Sequence, residues 1–435
     1  MLAAAALPHH RQAHPSRGQA EATERSPAMA LAMLLLPSSV SSAAAEGLLP
    51  VLPLPTWWAA GSQSATLTAS TFTFTAAAES EDADGVLAGA LERYYPLTFA
   101  HTHHSATTGH GGQQHVGMLV TVADPTAPLE LGANESYALT IRPSGAAAID
   151  APTVWGALRA LETFAQLVSY DFLARRHRTP PVLPLRIVDR PRFPHRGLML
   201  DVGRHFLPVA RLRRAVDSLS YAKLNVLHLH LTEAESFPMP SRVFPELPAR
   251  GAFSPGEQYS WEDIQALIEY GRHRGVRVLP EFEMPGHSAS WSRAHPEIFA
   301  QMEATPHPPC CTKPGTPVWP SNFPSAGTPG YPEGCPLSEA NTTLGACPFP
   351  NTAMDPSSPA TFPFLERQLS DWLGPDGLFA DAHVHLGGDE VPTTAWWNTR
   401  TVSAYGPRSA MPQSSGCHHT PQPQTRPNQT SEHAE

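Results

Sequence analysis

The sequence lacks the features that would assign it to a membrane or to nucleic acid. The apolar segment that starts at Met29 is too short to span a bilayer, and no later stretch reaches the run of about 18 apolar residues that a membrane-spanning helix needs. Acidic side chains outnumber basic ones, 39 to 29, and neither sign forms a long run, so the net charge is −10. Nucleic acids and anionic lipids attract basic surfaces, so the composition disfavours both as partners.

Cysteine is also scarce, and the five that occur fit a secreted protein. One lies in the tail and four lie in one proline-rich loop: Cys417, and Cys310, Cys311, Cys335 and Cys347. We expect one or two disulfides in that loop, with the connectivity open. The histidines between His101 and His115 lack zinc-type spacing, which favours a loop over a metal site.

The segment "MALAMLLLPSSVSSAAAEG" predicts entry into the secretory pathway. It begins at Met29, is too short to span a bilayer, and is followed by small residues suited to cleavage near Ala45. Sequons at Asn134, Asn341 and Asn428 agree with that route. We therefore expect a leader with a signal peptide over residues 1–45.

Two patterns of secondary structure follow the leader. Over residues 47–183, strands such as "SYALTIR" accompany one amphipathic helix, "APTVWGALRALETFAQLVSY", with Pro152 in its first turn. This predicts a small α+β domain. Over residues 184–406, short apolar strands alternate with helices, which predicts a parallel sheet and a (β/α)8 barrel. We expect a Pro- and Cys-rich insert at about 301–360 and a low-complexity tail over 407–435.

Charged side chains stand at the predicted C-terminal ends of the four barrel strands: Asp201, Glu233, Glu283 with His287, and Asp389 with Glu390. That end of a barrel carries its active site. In "HVHLGGDEV" the carboxylates Asp389 and Glu390 are adjacent, so each raises the cost of ionising the other. Neighbours on a strand point to opposite sides, which suits them poorly to flank one glycosidic bond as nucleophile and acid. A substrate that supplies its own nucleophile removes this conflict, because one carboxylate then holds that group while the other donates a proton.

Four motifs resemble the glycoside hydrolase family 20 β-N-acetylhexosaminidases of the eukaryotic lysosomal, vacuolar and secreted type: "PRFPHRGLMLDVGRHFLP", "LNVLHLHLTEAESFP", "VRVLPEFEMPGHSASW" and "HVHLGGDEV". Upstream, "ESYALTI" and "TVWGALRALETFAQL" resemble that family's non-catalytic α/β domain. The resemblance covers about residues 47–400. It implies a terminal N-acetyl-β-hexosaminide as the substrate, neither cofactor nor metal, a lysosomal, vacuolar or extracellular location, and a homodimer as the candidate assembly.

The resemblance also implies roles for individual residues. Asp389 corresponds to the residue that orients the 2-acetamido group as it attacks the anomeric carbon, giving an oxazolinium-type intermediate. Glu390 corresponds to the general acid, which later activates water. Arg196 matches the arginine that binds sugar hydroxyls, Glu233 a substrate-binding acid, and His287 a histidine of the site.

The chain also departs from the family pattern. Glu233 and Glu283 stand where the family usually has Asp, Leu229 stands where Trp is common, and Pro392 replaces an Asp; Trp396 aligns with a family tryptophan. Each Glu adds a methylene that shifts contacts by about 1 Å, enough to lower the rate.

The length poses a further difficulty for a complete barrel. A barrel takes about 250 residues, whereas 435 minus 390 leaves 45 residues after Glu390. Four strands lack a counterpart, and an open half barrel exposes a sheet edge. We therefore expect the chain alone to fold poorly or to be inactive.

Two other functions compete with hydrolysis. One is a truncated hexosaminidase-like protein that binds glycans without cleaving them. The other takes "GGDEV" as the nucleotide-binding turn of a diguanylate cyclase, which the signal segment and the sugar-site motifs oppose.

Overall fold

A computed structural model describes residues 49–101, 116–300, 353–374, 376–391 and 396 of the chain. The predicted leader, the clustered cysteines, the low-complexity tail and most of the histidine cluster and insert lie outside these residues. Of the three sequons, the one at Asn134 is described, and its asparagine is exposed. No helix in the described ranges has the length and apolar character needed to cross a membrane.

Six strands form the first sheet: β1 Trp57–Gln63, β3 Thr73–Ala76, β4 Gly117–Asp124, β5 Tyr137–Ile141, β6 Ala147–Thr153 and β9 Leu183–Asp189. Across the sheet they lie in the order β1–β9–β5–β6–β4–β3. The same part of the chain also forms a small antiparallel sheet of three strands, β2 Thr66–Leu67, β7 Ser169–Asp171 and β8 Arg176–Arg178. Inward side chains of β5, such as Leu139 and Ile141, are fully buried, as the alternating sequence predicts.

Two helices, α1 (Val86–Thr98) and α2 (Val154–Leu167), pack together and against this sheet. Thr153 caps α2, since its hydroxyl accepts a hydrogen bond from Gly156 N. The placement of Pro152 in the first helical turn is wrong, because Pro152 lies in β6. Ala151 and Thr153 each pair with a residue of β4, whereas Pro152 between them does not, because proline has no N–H to donate.

A second sheet contains three parallel strands, β10 Gly197–Asp201, β11 Val226–Thr232 and β12 Arg277–Phe282. Leu227, Leu229 and Leu231 of β11 are fully buried in the core shared with the helices. Because neighbours alternate along a strand, His228 and His230 point to the other face.

Within the described ranges, five helices accompany this sheet: α3 Val209–Tyr221, α4 Glu246–Gly251, α5 Trp261–Arg272, α6 Ala289–Ser292 and α7 Thr361–Leu373. Ser260 and Asp263 form the capping box that opens α5, and Gly275 follows the helix with a φ of 65°. Helix α7 anchors to the sheet through Trp372, whose ring stacks on Phe282 at 4.0 Å between centroids. The strand–helix order is the predicted one.

The predicted fourth strand is wrong in its extent. The segment lies parallel to β12 through one bridge between His385 and Glu281, with His385 N donating to Pro280 O at 2.9 Å and Phe282 N to His385 O at 3.0 Å. Gly387 and Gly388 then have φ of 64° and 104°, values that an extended strand does not take. The chain therefore turns where the motif "GGDE" begins.

Candidate active site

Carboxylates collect at the C-terminal ends of the second sheet. Asp201 ends β10, Glu233 directly follows β11, and Glu283 directly follows β12. Parallel strands bring these ends to one edge. The side chains of Glu233 and Glu283 are each 1% exposed, a degree of burial at which an ionised carboxylate needs partners.

The side chain of Glu233 contacts that of His287. His287 Nδ1 lies 3.0 Å from Glu233 Oε1, and the imidazole is 17% exposed. This contact, against the opposing effect of burial and with help from Asp389 and Glu283, raises the pKa of His287 to about 9. The imidazole is therefore cationic at neutral pH.

The other nitrogen of His287 faces the proposed acid. Nε2 lies 3.3 Å from Glu390 Oε2, whose side chain is 55% exposed. Both residues have a φ of 47°, a left-handed conformation that is uncommon for residues other than glycine and collects at functional sites. The backbone strain and the contacts together place an imidazolium between two carboxylates, Glu233 and Glu390.

Glu283 anchors the turn that presents Asp389 and Glu390. Its Oε1 accepts a hydrogen bond from Gly388 N at 2.8 Å, and a Cβ on Gly387 would collide with the same carboxylate. Burial raises the pKa of Glu283 to about 7, with Asp389 adding to the rise and the Gly388 N–H opposing it. The two glycines are needed here because the backbone passes so close to Glu283.

Arg204 is a site residue that the sequence reasoning missed. It lies three residues after Asp201, and its Nη1 is 2.7 Å from Asp201 Oδ2. Its Nη2 also contacts Glu233, so one guanidinium ties the ends of β10 and β11 together. The signal was present in "DVGRHF", where an arginine follows the carboxylate that ends a strand.

The structure does not bring Arg196 to this site. Arg196 directly precedes β10, at the opposite end of the strand from Asp201, which is about 16 Å away at about 3.3 Å per residue. Its Nη2 donates to Glu135 Oε2 at 2.5 Å, its Nε to Lys223 O at 2.9 Å and its Nη1 to Phe193 O. These contacts join the two sheets, so the sequence-based placement of Arg196 among the sugar ligands is corrected.

Of the remaining predicted residues, the structure brings together Glu233, His287, Asp389 and Glu390. Asp389 and Glu390 are both exposed, and with His287 they form one of three groups of His and carboxylate ligand atoms that converge among the described residues. This arrangement offers a proton donor and acceptor beside a partly buried cation, the elements of general acid–base catalysis. Trp396, which aligns with a family tryptophan, donates its Nε1 hydrogen to Met354 O at 2.9 Å.

The sequence matches two family models. The model described as "Glycosyl hydrolase family 20, catalytic domain" matches residues 193–415, and the model described as "beta-acetyl hexosaminidase like" matches residues 51–167. The first match spans about half of the chain and includes every predicted site residue.

Several known proteins are similar to most of the chain. "Beta-hexosaminidase A" of Caenorhabditis briggsae is 36% identical over 343 residues, which are 78% of this chain and 53% of that protein. "Beta-hexosaminidase subunit B1" of Dictyostelium discoideum is 32% identical over 368 residues, 81% of this chain and 58% of that protein. The chain thus spans little more than half the length of these relatives.

Among solved structures, the chitobiase of Flavobacterium johnsoniae is similar with a TM-score of 0.62 and 26% identity, over 82% of this chain and 47% of that one. The exo β-N-acetylglucosaminidase of Vibrio harveyi, solved with N-acetylglucosamine, has a TM-score of 0.58 at 21% identity, over 85% of this chain and 50% of that one. The second likeness supports the fold alone. The predicted fold class, a partial (β/α)8 barrel preceded by a small α+β domain, is confirmed.

Proposed function

Because this chain belongs to glycosyl hydrolase family 20, we propose that it hydrolyses terminal non-reducing N-acetyl-β-D-hexosamine residues from glycoconjugates or chitin oligosaccharides. The observation that carries the proposal is the line of contacts from Glu233 through His287 to Glu390, next to Asp389. These contacts place the cationic imidazole of His287 beside the carboxyl group proposed as the acid and base. The proposal concerns the chemistry of the site, since the chain spans little more than half the length of its relatives.

The reaction needs no nucleophile from the protein. The carbonyl oxygen of the substrate's 2-acetamido group attacks the anomeric carbon, and the bond to the leaving oxygen breaks. Asp389 holds the acetamide N–H and balances the positive charge that develops on the oxazolinium ring. Glu390 donates its proton to the leaving oxygen, so the departing alcohol is neutral.

The second step restores the enzyme. Glu390, now a carboxylate, takes a proton from water as the water oxygen attacks the anomeric carbon and opens the oxazolinium ring. Two displacements at one carbon retain the β configuration. The imidazolium of His287, 3.3 Å from Glu390 Oε2, stabilises the carboxylate that exists between the two steps.

The adjacency of Asp389 and Glu390 agrees with this division of labour. In retaining enzymes with a protein nucleophile, two carboxyl groups face each other about 5 Å apart across the glycosidic bond. Consecutive residues after a glycine turn do not face each other in that way. Asp201 and Arg204 stand at the same edge of the sheet, and we propose that Arg204 takes the hydroxyl-binding role first given to Arg196.

A second candidate function is glycan binding without hydrolysis. The exposure of both Asp389 and Glu390 favours it, because general acids and developing charges act best where water is excluded. The expectation that this chain alone folds poorly or is inactive stays a prediction, and turnover of a chromogenic N-acetyl-β-glucosaminide tests it.

The cellular setting is also proposed. The apolar segment at Met29 supports secretory entry, with lysosome, vacuole or extracellular space as the destination, and with signal cleavage, glycosylation at Asn134 and loop disulfides. The glycan substrate is the expected partner, with a homodimer as the candidate assembly.

The test is turnover of a chromogenic N-acetyl-β-glucosaminide by the chain and by Asp389→Asn and Glu390→Gln variants. We expect each substitution to lower kcat by about 100-fold or more, the usual contribution of a positioned acid or of a charge-stabilising group. Glu130→Gln, a change at an exposed carboxylate of another part of the chain, is the matched control and should leave kcat unchanged. Circular dichroism of each variant separates lost chemistry from lost folding. Binding of N-acetylglucosamine without turnover would instead support the second candidate.

A further inference from the structure

We propose that His228, Glu281 and His385 form a binding site for a divalent transition-metal ion of the zinc type. Their ligand atoms, one from each side chain, lie within 4.8 Å of one another. None of the three takes part in the acid–base chemistry described above. The inference rests on the geometry of this cluster and stands whether or not the chain is a hydrolase.

The strand register assembles the cluster. His228 and Glu281 lie on the neighbouring parallel strands β11 and β12, and Glu281 pairs with His230, two residues after His228 on the same face. His385 lies opposite Glu281 on the next segment through the one bridge of that segment. Three adjacent segments of the sheet thus supply one ligand each from the same face, with His228 displaced by two residues from the position opposite Glu281. Rigid strands hold ligands better than loops do.

The distances place one carboxylate between two imidazoles. His228 Nε2 lies 2.6 Å from Glu281 Oε2, and His385 Nδ1 lies 2.8 Å from Glu281 Oε1. The two imidazole centroids are 5.1 Å apart. Zinc binds imidazole nitrogen and carboxylate oxygen at about 2.0–2.2 Å, so an ion on the open side of Glu281 would meet both oxygens and both nitrogens after small side-chain rotations.

The hydrogen-bonding state of these atoms also favours a cation. His228 Nε2 is buried and makes no hydrogen bond of acceptable geometry, although Glu281 is so near. His385 Nδ1 accepts a hydrogen bond from Gly387 N at 3.0 Å, which makes it an unprotonated nitrogen that faces a carboxylate oxygen. Two such acceptors repel each other unless a proton or a cation lies between them. A bound ion would lie between both pairs of atoms and would replace the Gly387 N–H at His385 Nδ1.

The ligand types select the metal class. Two imidazoles with one carboxylate suit zinc or copper, whereas magnesium and calcium prefer oxygen ligands alone. The neutral imidazole is the form of histidine that binds metal. The side chain of His385 is 50% exposed, which leaves an entry path and a position for water, as in open zinc sites.

The ordinary alternative is a hydrogen-bonded His–Glu–His network that binds no ion. Zinc titration by calorimetry distinguishes the two when the chain is compared with His228→Ala, Glu281→Gln and His385→Ala variants. Histidines and cysteines in general are able to bind zinc, so the quantity compared is the difference in zinc binding between the unaltered chain and each variant. We expect each variant to lose one class of site, or to bind there about 10-fold or more weakly. His383→Ala, two residues from His385 and outside the cluster, is the matched control and should bind as the unaltered chain does.

A second measurement uses the unaltered chain and so does not depend on the folding of variants. Acylation of histidines by diethyl pyrocarbonate, read by mass spectrometry, should be suppressed by Zn²⁺ at His385 and not at His383, which is similarly exposed. Mg²⁺ should protect neither. Equal zinc binding by all variants, together with equal acylation of both histidines in the presence of zinc, would overturn the proposal.

Discussion

Replacement of Glu233 by glutamine tests the electrostatic arrangement behind the acid–base group. Contact with Glu233 is the main cause that raises the pKa of His287 from 6.5 to about 9. At about 1.4 kcal/mol for each pKa unit, this rise corresponds to about 3 kcal/mol of stabilisation of the folded imidazolium. The imidazole is 17% exposed, so solvent screens the contact only in part.

The sign of the effect follows from the direction of the pKa change. Because folding raises the pKa of His287, the stabilisation is complete below the ordinary value of 6.5 and is lost as the pH rises through about 9. We therefore expect Glu233→Gln to lower the free energy of unfolding by up to about 3 kcal/mol near pH 6, and by much less near pH 10. Arg204 also loses a partner, but its charge does not change over this range, so the pH-dependent part reports on His287.

The assay is urea denaturation of both proteins, followed by tryptophan fluorescence at the two pH values. A His287→Gln variant is the control. When Glu233→Gln is introduced into that background, its effect should no longer depend on pH. An equal loss of stability at both pH values in the unaltered background would refute the assignment of a cationic His287 held by Glu233.

Two further substitutions test a support of the site and a contact between the two sheets. Gly387→Ala should lower both thermal stability and turnover, because its Cβ would collide with the Glu283 carboxylate at a φ of 64°. Gly132→Ala, at a φ of 88° with open space around it, should cost only the strain of about 1 kcal/mol, and equal effects would contradict the close-approach argument. Glu135→Gln should lower the free energy of unfolding by about 3–5 kcal/mol, because it leaves the buried guanidinium of Arg159 and the guanidinium of Arg196, which joins the two sheets, without their shared carboxylate. Urea denaturation with no measurable change would show that these contacts contribute little.

The fold was predictable wherever local pattern and burial agree. The run 226–232 has leucines at alternate positions, and the structure buries them against helices. The capping box at Ser260 fixed the start of α5. Pro152 and the fourth strand were mispredicted because the end of a strand and a glycine turn depend on neighbouring chain segments, which a local pattern does not contain.

The site was predictable in its carboxylates and less so in its cations. Asp389 and Glu390 are adjacent in the motif "HVHLGGDEV", which identifies both directly. Arg196 and Arg204 stand in one motif on either side of β10, so the motif alone does not show which of them belongs to the site. The rule that a barrel carries its site at the C-terminal ends of its strands favours Arg204, whereas the contact of Arg196 with Glu135 is visible only in the folded structure. Glu233 and His287 are more than 50 residues apart in the sequence, so their contact likewise forms only in the folded protein.

The most direct test of the central claim compares two chromogenic substrates that differ only at carbon 2, an N-acetyl-β-glucosaminide and a β-glucoside, at matched concentrations. If the substrate's own acetamide is the nucleophile, any turnover by the chain should be confined to the first substrate and leave the second intact. Cleavage of both at similar rates would contradict the account, whereas cleavage of neither would support the prediction that this chain alone is inactive.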